Sequence, residues 1–394
     1  MTVSHDSSLN PVPVSIVTGF LGAGKTTLLN RLLKDPALAG CIVIINEFGE
    51  IGLDHLFIET REDGLVLLAS GCLCCTVRGD LIDRLDDLMR QRDTGKIEQF
   101  NRIIIETTGL ADPAPILQSV MSHPYLAARY SIDGIVTLVD AVNGAATLDA
   151  HMEAVKQAAV ADRLVLTKTD LLDEASGIEA ALRARLKALN PAARIIDVNR
   201  DIFSALDLVQ CGPFDLSGKS PDVAAWLNEE AYRDHGHDHH HHAQGHDDHH
   251  HHDHDHDHAH DHGQNPHDVN RHDSHIRAFC LATDDAIPTA AFDMFLSLLK
   301  SAHGEKMLRM KGLVKLAENP DHPIVLQGVQ HVFHPPVMLE AWPDQDHRTR
   351  MVFITRDLEE QFVKGLWNAL LGRPGIDMPD RAALTDNPLS LRNG

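Results

Sequence analysis

Short apolar runs alternate with helical stretches through the first half of the chain. Val14 to Thr18 is a β-type run that ends at a glycine, and Thr26 to Lys34 follows it with helical spacing. Cys41 to Ile45, Leu65 to Leu68, Ile103 to Ile105, Gly134 to Val139, Leu164 to Leu166 and Arg194 to Val198 are further compact runs, with polar or helical material between them. Strands that are apolar on both faces and separated by helices describe a mostly parallel sheet covered on both sides, so the pattern predicts a doubly wound α/β domain over residues 12–225. From Arg233 the pattern stops. His, Asp and Gly dominate, almost nothing is available to bury, and a disordered His/Asp-rich linker is expected at 233–275. Periodicity then returns: Ile276 to Ala282, Leu308 to Leu316, Ile324 to Val332 and Arg350 to Thr355 read as strands, Pro288 to Ala302 and Leu358 to Leu371 as helices. These make a small α+β domain over 276–372.

Length agrees with this division, because 394 residues exceed what one ordinary core serves. No window approaches twenty uninterrupted apolar residues, and Met1 to Asn10 has neither a basic nor an apolar leader, so a soluble cytoplasmic chain with no membrane partner is expected. A formal charge of −22 and only 5% aromatic residues argue against a nucleic-acid partner, which needs clustered Lys and Arg or stacking platforms. The same charge suits divalent cations.

Gly19-Phe20-Leu21-Gly22-Ala23-Gly24-Lys25-Thr26 fits the P-loop pattern at every fixed position, between a strand run and a helical run. Its glycines let backbone N–H groups, including those of Ala23 and Thr27, curl around phosphates. Lys25 supplies a point charge, and the Thr26 hydroxyl can ligate Mg²⁺. A second run delivers Glu106-Thr107-Thr108-Gly109 at its carboxyl end, where ligands bind in open α/β sheets. There Glu106 can hold Mg²⁺ through water and Gly109 can swing toward a γ-phosphate; the alternative is an acidic cap for the next helix. Thr167-Lys168-Thr169-Asp170 follows a third run. An Asp there accepts from the donor pair of guanine, which adenine lacks, while the Lys stem lies along the base. K-x-D is a weak pattern alone and gains weight only downstream of a P-loop. Asn199 is a further candidate base contact.

Cysteines fall at 41, 72, 74, 75, 211 and 280, and three of them crowd into Gly71-Cys72-Leu73-Cys74-Cys75 after a strand run. Cys72, Cys74 and Cys75 are candidate thiolate ligands for Zn²⁺, with Cu(I), cobalt and nickel as other takers. Three sulfurs leave one position for a carboxylate, an imidazole or a receiving protein. Buried cysteines or a redox pair are the alternatives. Asn46-Glu47-Phe48-Gly49-Glu50 has the polarity of a switch segment, and Glu47 and Glu50 are candidate carboxylates for either metal; a solvated turn is the rival reading. Histidine is the outlier of composition, 28 in all, with 19 between His235 and His275. Imidazoles such as His239, His240, His241 and His242 among aspartates predict a low-specificity metal collector, or else solubilising filler.

With these residues assembled, the chain resembles the CobW-type metallochaperone P-loop GTPases, relatives of the nickel-insertion GTPases. Thr18 to Thr27, Asn46 to Glu50, Gly71 to Cys75 and Glu106-Thr107-Thr108-Gly109-Leu110-Ala111-Asp112-Pro113 carry the likeness. Arg309-Met310-Lys311-Gly312 and Gln327-Gly328-Val329 look similar to strands of the family's C-terminal domain. The resemblance implies Mg²⁺-dependent GTP hydrolysis, a transition metal held by the cysteine motif, and delivery to a client metalloprotein or metal-inserting enzyme. It also leaves room for a homo-oligomer that depends on nucleotide or metal. Zinc is the expected metal and cobalt, for cobalamin synthesis or a nitrile hydratase, the runner-up. A His-rich metal buffer with a vestigial nucleotide site, or an ATP-dependent kinase, are the rivals from other classes. Two positions depart from the pattern: Thr167 stands where many GTPases have Asn, and Ile45 where some relatives carry an acidic ligand.

Overall fold

A computed structural model describes residues 11–46, 58–60, 66–70, 77–211 and 275–373. In the first domain β1 (Val12–Gly19), α1 (Lys25–Leu32), β2 (Cys41–Asn46), β3 (Ile58–Thr60), β4 (Val66–Ser70), α2 (Val77–Asp93), β5 (Arg102–Glu106), α3 (Ala114–Ser122) and α4 (Pro124–Arg129) follow one another. Then come β6 (Tyr130–Asp140), α5 (Gly144–Ala150), α6 (Met152–Val160), β7 (Arg163–Thr167), α7 (Ile178–Leu189), β8 (Arg194–Asp197) and α8 (Ala205–Val209). Eight strands form one sheet in the order β3-β4-β2-β5-β1-β6-β7-β8. Every pair is parallel except β3 with β4 at the edge. The expected doubly wound sheet is therefore present. The sequence accounts for it directly: β1 and β5 are buried at every residue, as strands covered on both faces must be.

The second domain is β9 (Ile276–Thr283), α9 (Thr289–His303), β10 (Met307–Leu316), β11 (Asn319–Val329), β12 (Val332–Phe333), β13 (Val337–Met338), β14 (Thr349–Arg356) and α10 (Glu360–Leu370). Its strands make an antiparallel sheet in the order β12-β11-β10-β14-β9, with β13 on β11. The run Ile324 to Val332, expected as one strand, is two: β11 ends at Val329, and Gln330 (φ 53°) turns the chain into β12. Period-2 alternation splits the sheet into two apolar faces. Met351 and Phe353 pack with Phe292, Phe295 and Trp367 under the helices, whereas Val352 and Ile354 join the core of the first domain.

A buried ionic cluster pins the domains together. Arg309 of β10 donates to the Val160 carbonyl and to Asp162, Lys311 Nζ lies 3.3 Å from the same carboxylate, and the Ile135 amide donates to it at 3.0 Å. Burial pushes the Asp162 pKa up, but the charges of Arg309 and Lys311 and the Ile135 amide outweigh it and hold the carboxyl below its ordinary range. Gly134 must lack a side chain here: a Cβ would stand 2.4 Å from Cys211 Cβ and 2.8 Å from Asp162 Oδ2.

Candidate functional site

The phosphate side is built where β1 and β5 end. Lys25 and Thr26 open α1, Gly24 (φ 88°) being the residue before it. Gly19 also has a positive φ, 142°, and a Cβ there would meet the Leu138 carbonyl oxygen at 2.5 Å, so only glycine lets the chain leave β1 at this angle. A cavity of about 450 Å³ is lined by Gly22, Gly24, Lys25, Thr26 and Thr27 on one side and by Glu106 to Leu110 on the other. Gly109 comes so close to the P-loop that a Cβ would lie 2.6 Å from the Leu21 amide nitrogen. Lys25 Nζ donates to the carbonyls of Gly19 at 2.9 Å and Phe20 at 3.3 Å, curled over the loop it serves. Thr26 Oγ1 donates to Glu106 Oε1 at 3.1 Å, and Glu106 is only 4% exposed. A hydroxyl and a buried carboxylate facing one another at a phosphate cavity are the hard-oxygen donors that suit Mg²⁺. Thr26 and Glu106 are the residues that would hold it, and the side-chain contact to the first amide of α3, that of Ala114, comes from Asp112.

The base side follows β7 and β8. Lys168, with φ 60°, ion-pairs with Asp140 at 2.6 Å. Burial raises the Asp140 pKa, yet hydrogen bonds from Lys168, the Asn143 side chain and the amides of Asn143 and Val142 outweigh it, so the carboxyl sits below its usual range. Asn199 donates from Nδ2 to Asp170 Oδ1 at 2.8 Å and to Thr169 Oγ1 at 3.1 Å. The two candidate base contacts therefore stand together at one exposed edge. Behind them Asp197, with no exposure, accepts from Thr169 Oγ1 at 2.8 Å and from the Asn199 amide at 2.9 Å, so it orders both loops at once. Thr167 makes the substitution for Asn intelligible: its hydroxyl donates to the Ala23 carbonyl at 2.9 Å and ties the base loop to the P-loop. Asp140 and Asp197 were readable by the signal that found Glu106, a carboxylate at the carboxyl end of an apolar strand.

Glu47, Glu50, Cys72, Cys74, Cys75 and His239 to His242 lie outside the described residues. The strands that lead toward the first two groups do not. β2 and β4 are parallel neighbours that end in register, Asn46 opposite Ser70, while Ile45 is paired with Glu106 on the other side. Cys41 and Cys211 are poor metal ligands. Cys41 is buried, which pushes its thiol up to about 12 against the opposing charge of Arg102, and Cys211 is buried and raised further by the same cause. Among the described residues no group of three or more His, Cys, Asp or Glu side chains is gathered for a metal ion, and no helix is long and apolar enough to cross a membrane.

Residues 13–197 match the family model for the CobW/HypB/UreG nucleotide-binding domain, and residues 276–371 that for the cobalamin synthesis protein cobW C-terminal domain. The zinc chaperone YjiA of Escherichia coli is 31% identical over 362 residues, spanning 92% of this chain and 99% of that protein. A zinc-regulated GTPase metalloprotein activator of Schizosaccharomyces pombe is 37% identical over 219 residues, about half of each chain (53% and 52%). The crystal structure of the Zn(II)-bound YjiA GTPase superposes with a TM-score of 0.63 at 28% identity, covering 92% of this chain and 99% of that one. With both domains matched in order and a relative 31% identical over 92% of its length, this chain belongs to the CobW family of nucleotide-binding proteins.

Proposed function

We propose that the protein is a GTP-hydrolysing zinc metallochaperone, which holds the metal on Cys72, Cys74 and Cys75 and hands it to client metalloproteins under nucleotide control. The observation that carries this reading is the shared edge of the sheet. β1 and β5 bring Lys25, Thr26 and Glu106 there, β7 and β8 bring Asp170 and Asn199, and β2 and β4 end beside them just before the Glu47–Glu50 and Cys72–Cys75 segments. Zinc is supported by likeness over almost the whole chain to a zinc chaperone and to its zinc-bound structure. Coupling is then a matter of linkage: if bound metal changes nucleotide affinity, nucleotide changes metal affinity by the same factor. Bound Mg²⁺ would supply charge neutralisation at the β and γ phosphates. Lys25 and the P-loop amides orient the same phosphates, Gly109 meets the γ-phosphate, and Asp170 with Asn199 reads the base.

The base assignment has a direct test. Asp170→Asn exchanges an acceptor of two N–H donors for a group that offers one of each. It is expected to reduce kcat/KM for GTP by about 10²–10³-fold, as one hydrogen bond to a charged group gives way to two opposed donors and the other loses its charge, and to raise use of xanthosine triphosphate. Wild-type protein that turns over ATP as well as GTP, or a variant with unaltered base preference, would sink the reading of Asp170.

A further inference from the structure

Loop 107–113 leaves β5 at the ligand edge and brings Gly109 against the P-loop. Two glutamines that belong to neither nucleotide motif hold it. Gln157 of α6, buried, donates from Nε2 to the carbonyls of Gly109 at 3.2 Å and Ala111 at 3.0 Å. Gln330, from the second domain, donates from Nε2 to Asp112 Oδ2 at 2.7 Å. The other oxygen of Asp112 accepts from the Ala114 amide at 3.0 Å, so this one carboxylate closes the loop and starts α3. Gln330 is almost wholly buried, turns the chain between β11 and β12 at φ 53°, and donates its own amide to the Leu308 carbonyl at 3.3 Å. Few non-glycine residues occupy that backbone region, and they persist there where their surroundings hold them. Here the conformation delivers an amide to the nucleotide domain.

We propose that Gln330 is a positioning residue for GTP turnover supplied by the C-terminal domain: through Asp112 it fixes the loop that presents Gly109 to the γ-phosphate, so the docked domain sets the preference for GTP over GDP. This rests on the reading of Gly109 as the γ-phosphate contact. The anchoring of the domain does not depend on it, because Arg309 and Lys311 hold Asp162 separately. A pre-ordered loop favours the ligand that carries the γ-phosphate and leaves one without it unaffected.

The test compares full-length wild type, Gln330→Ala, Gln330→Glu and the double variant Gln330→Glu with Asp112→Asn. Turnover of GTP and affinities for GTPγS and GDP are measured on each. Gln330→Ala is expected to lower kcat and the GTPγS-to-GDP affinity ratio by about tenfold, the loss of one hydrogen bond to a charged group, with GDP affinity unchanged. Gln330→Glu sets two carboxylates against each other and should lower both further. Adding Asp112→Asn exchanges donor and acceptor, keeps the cap to Ala114, and should recover most of the loss. Equal kcat and equal affinity ratios in all four proteins, with only the thermal midpoint altered, would reduce Gln330 to a docking contact. Wild-type protein with no turnover and no preference for GTPγS over GDP would instead remove the γ-phosphate reading itself, before any variant is compared.

Discussion

Lys25→Ala is expected to lower GTP turnover by about 10²–10³-fold while leaving the zinc affinity of the nucleotide-free protein unchanged. The magnitude follows from what the ammonium does: in phosphoryl transfer the protein contributes positioning and charge, and losing one pre-aimed donor from a shielded site costs that much. Lys25 is well placed for the task. Its Nζ is already folded over the P-loop by the Gly19 and Phe20 carbonyls, at the rim of the cavity that Thr26 and Glu106 also line. On the proposed reading zinc is held by the Cys72–Cys75 thiolates and needs none of this. Phosphate release under saturating GTP and a zinc titration of metal-stripped protein check the two halves. Loss of zinc binding in Lys25→Ala as large as in Cys74→Ala would contradict separate sites.

Arg309→Ala is expected to destabilise the protein by about 3 kcal/mol, the low end of the range for breaking a buried pair, because Lys311 still faces Asp162. The Val160 carbonyl would lose its partner as well. Arg309→Lys should fall between, since it keeps the charge and forfeits the fork that reaches both acceptors. Urea denaturation followed by intrinsic fluorescence measures the effect. The same interface is acid-sensitive in a defined window. His334, beside the Gln327 amide at 3.2 Å, has its pKa lowered from 6.5 to about 4 by burial and by the charge of Arg309. Between those values the unfolded chain binds a proton that the folded one refuses, so stability falls as pH drops from 6.5 to 4. Asp162, held below its ordinary 3.8, stabilises above that value and ceases to as pH falls further. His334→Gln should flatten the upper part of the profile, and a wild-type midpoint constant from pH 6.5 to 4 would contradict the assignment.

The sheet was legible because strands covered on both faces are continuous apolar runs, and the P-loop because its glycines are demanded by backbone geometry such as that of Gly19. The sequence also placed Asp170 and Asn199 after strand runs, and the structure brings these two candidates into hydrogen-bond contact beyond β7 and β8. The turn at Gln330 was not. It carries no Gly, Asn or Pro, so nothing local marks the end of β11. Helix α2 is similarly muted: Leu81, Leu85 and Leu88 line its buried face, but charged residues make up most of the rest. The contacts that organise loop 107–113 are invisible for a topological reason. Gln330 and Asp112 are 218 residues apart, and only the docking of one sheet face onto the other domain brings them together. Arg309 and Lys311 stood out as a landmark of the C-terminal domain, whereas their partner, Asp162, had no signal of its own.

The most direct test of nucleotide-controlled metal handling is GTP turnover by metal-stripped protein, with and without equimolar Zn²⁺, in wild type and Cys74→Ala. Coupling of ordinary strength predicts that zinc changes the GTP affinity of the wild type, and with it turnover at sub-saturating GTP, by about fivefold or more and that the variant loses the response while keeping its basal rate. Turnover that ignores zinc in both proteins would contradict the account.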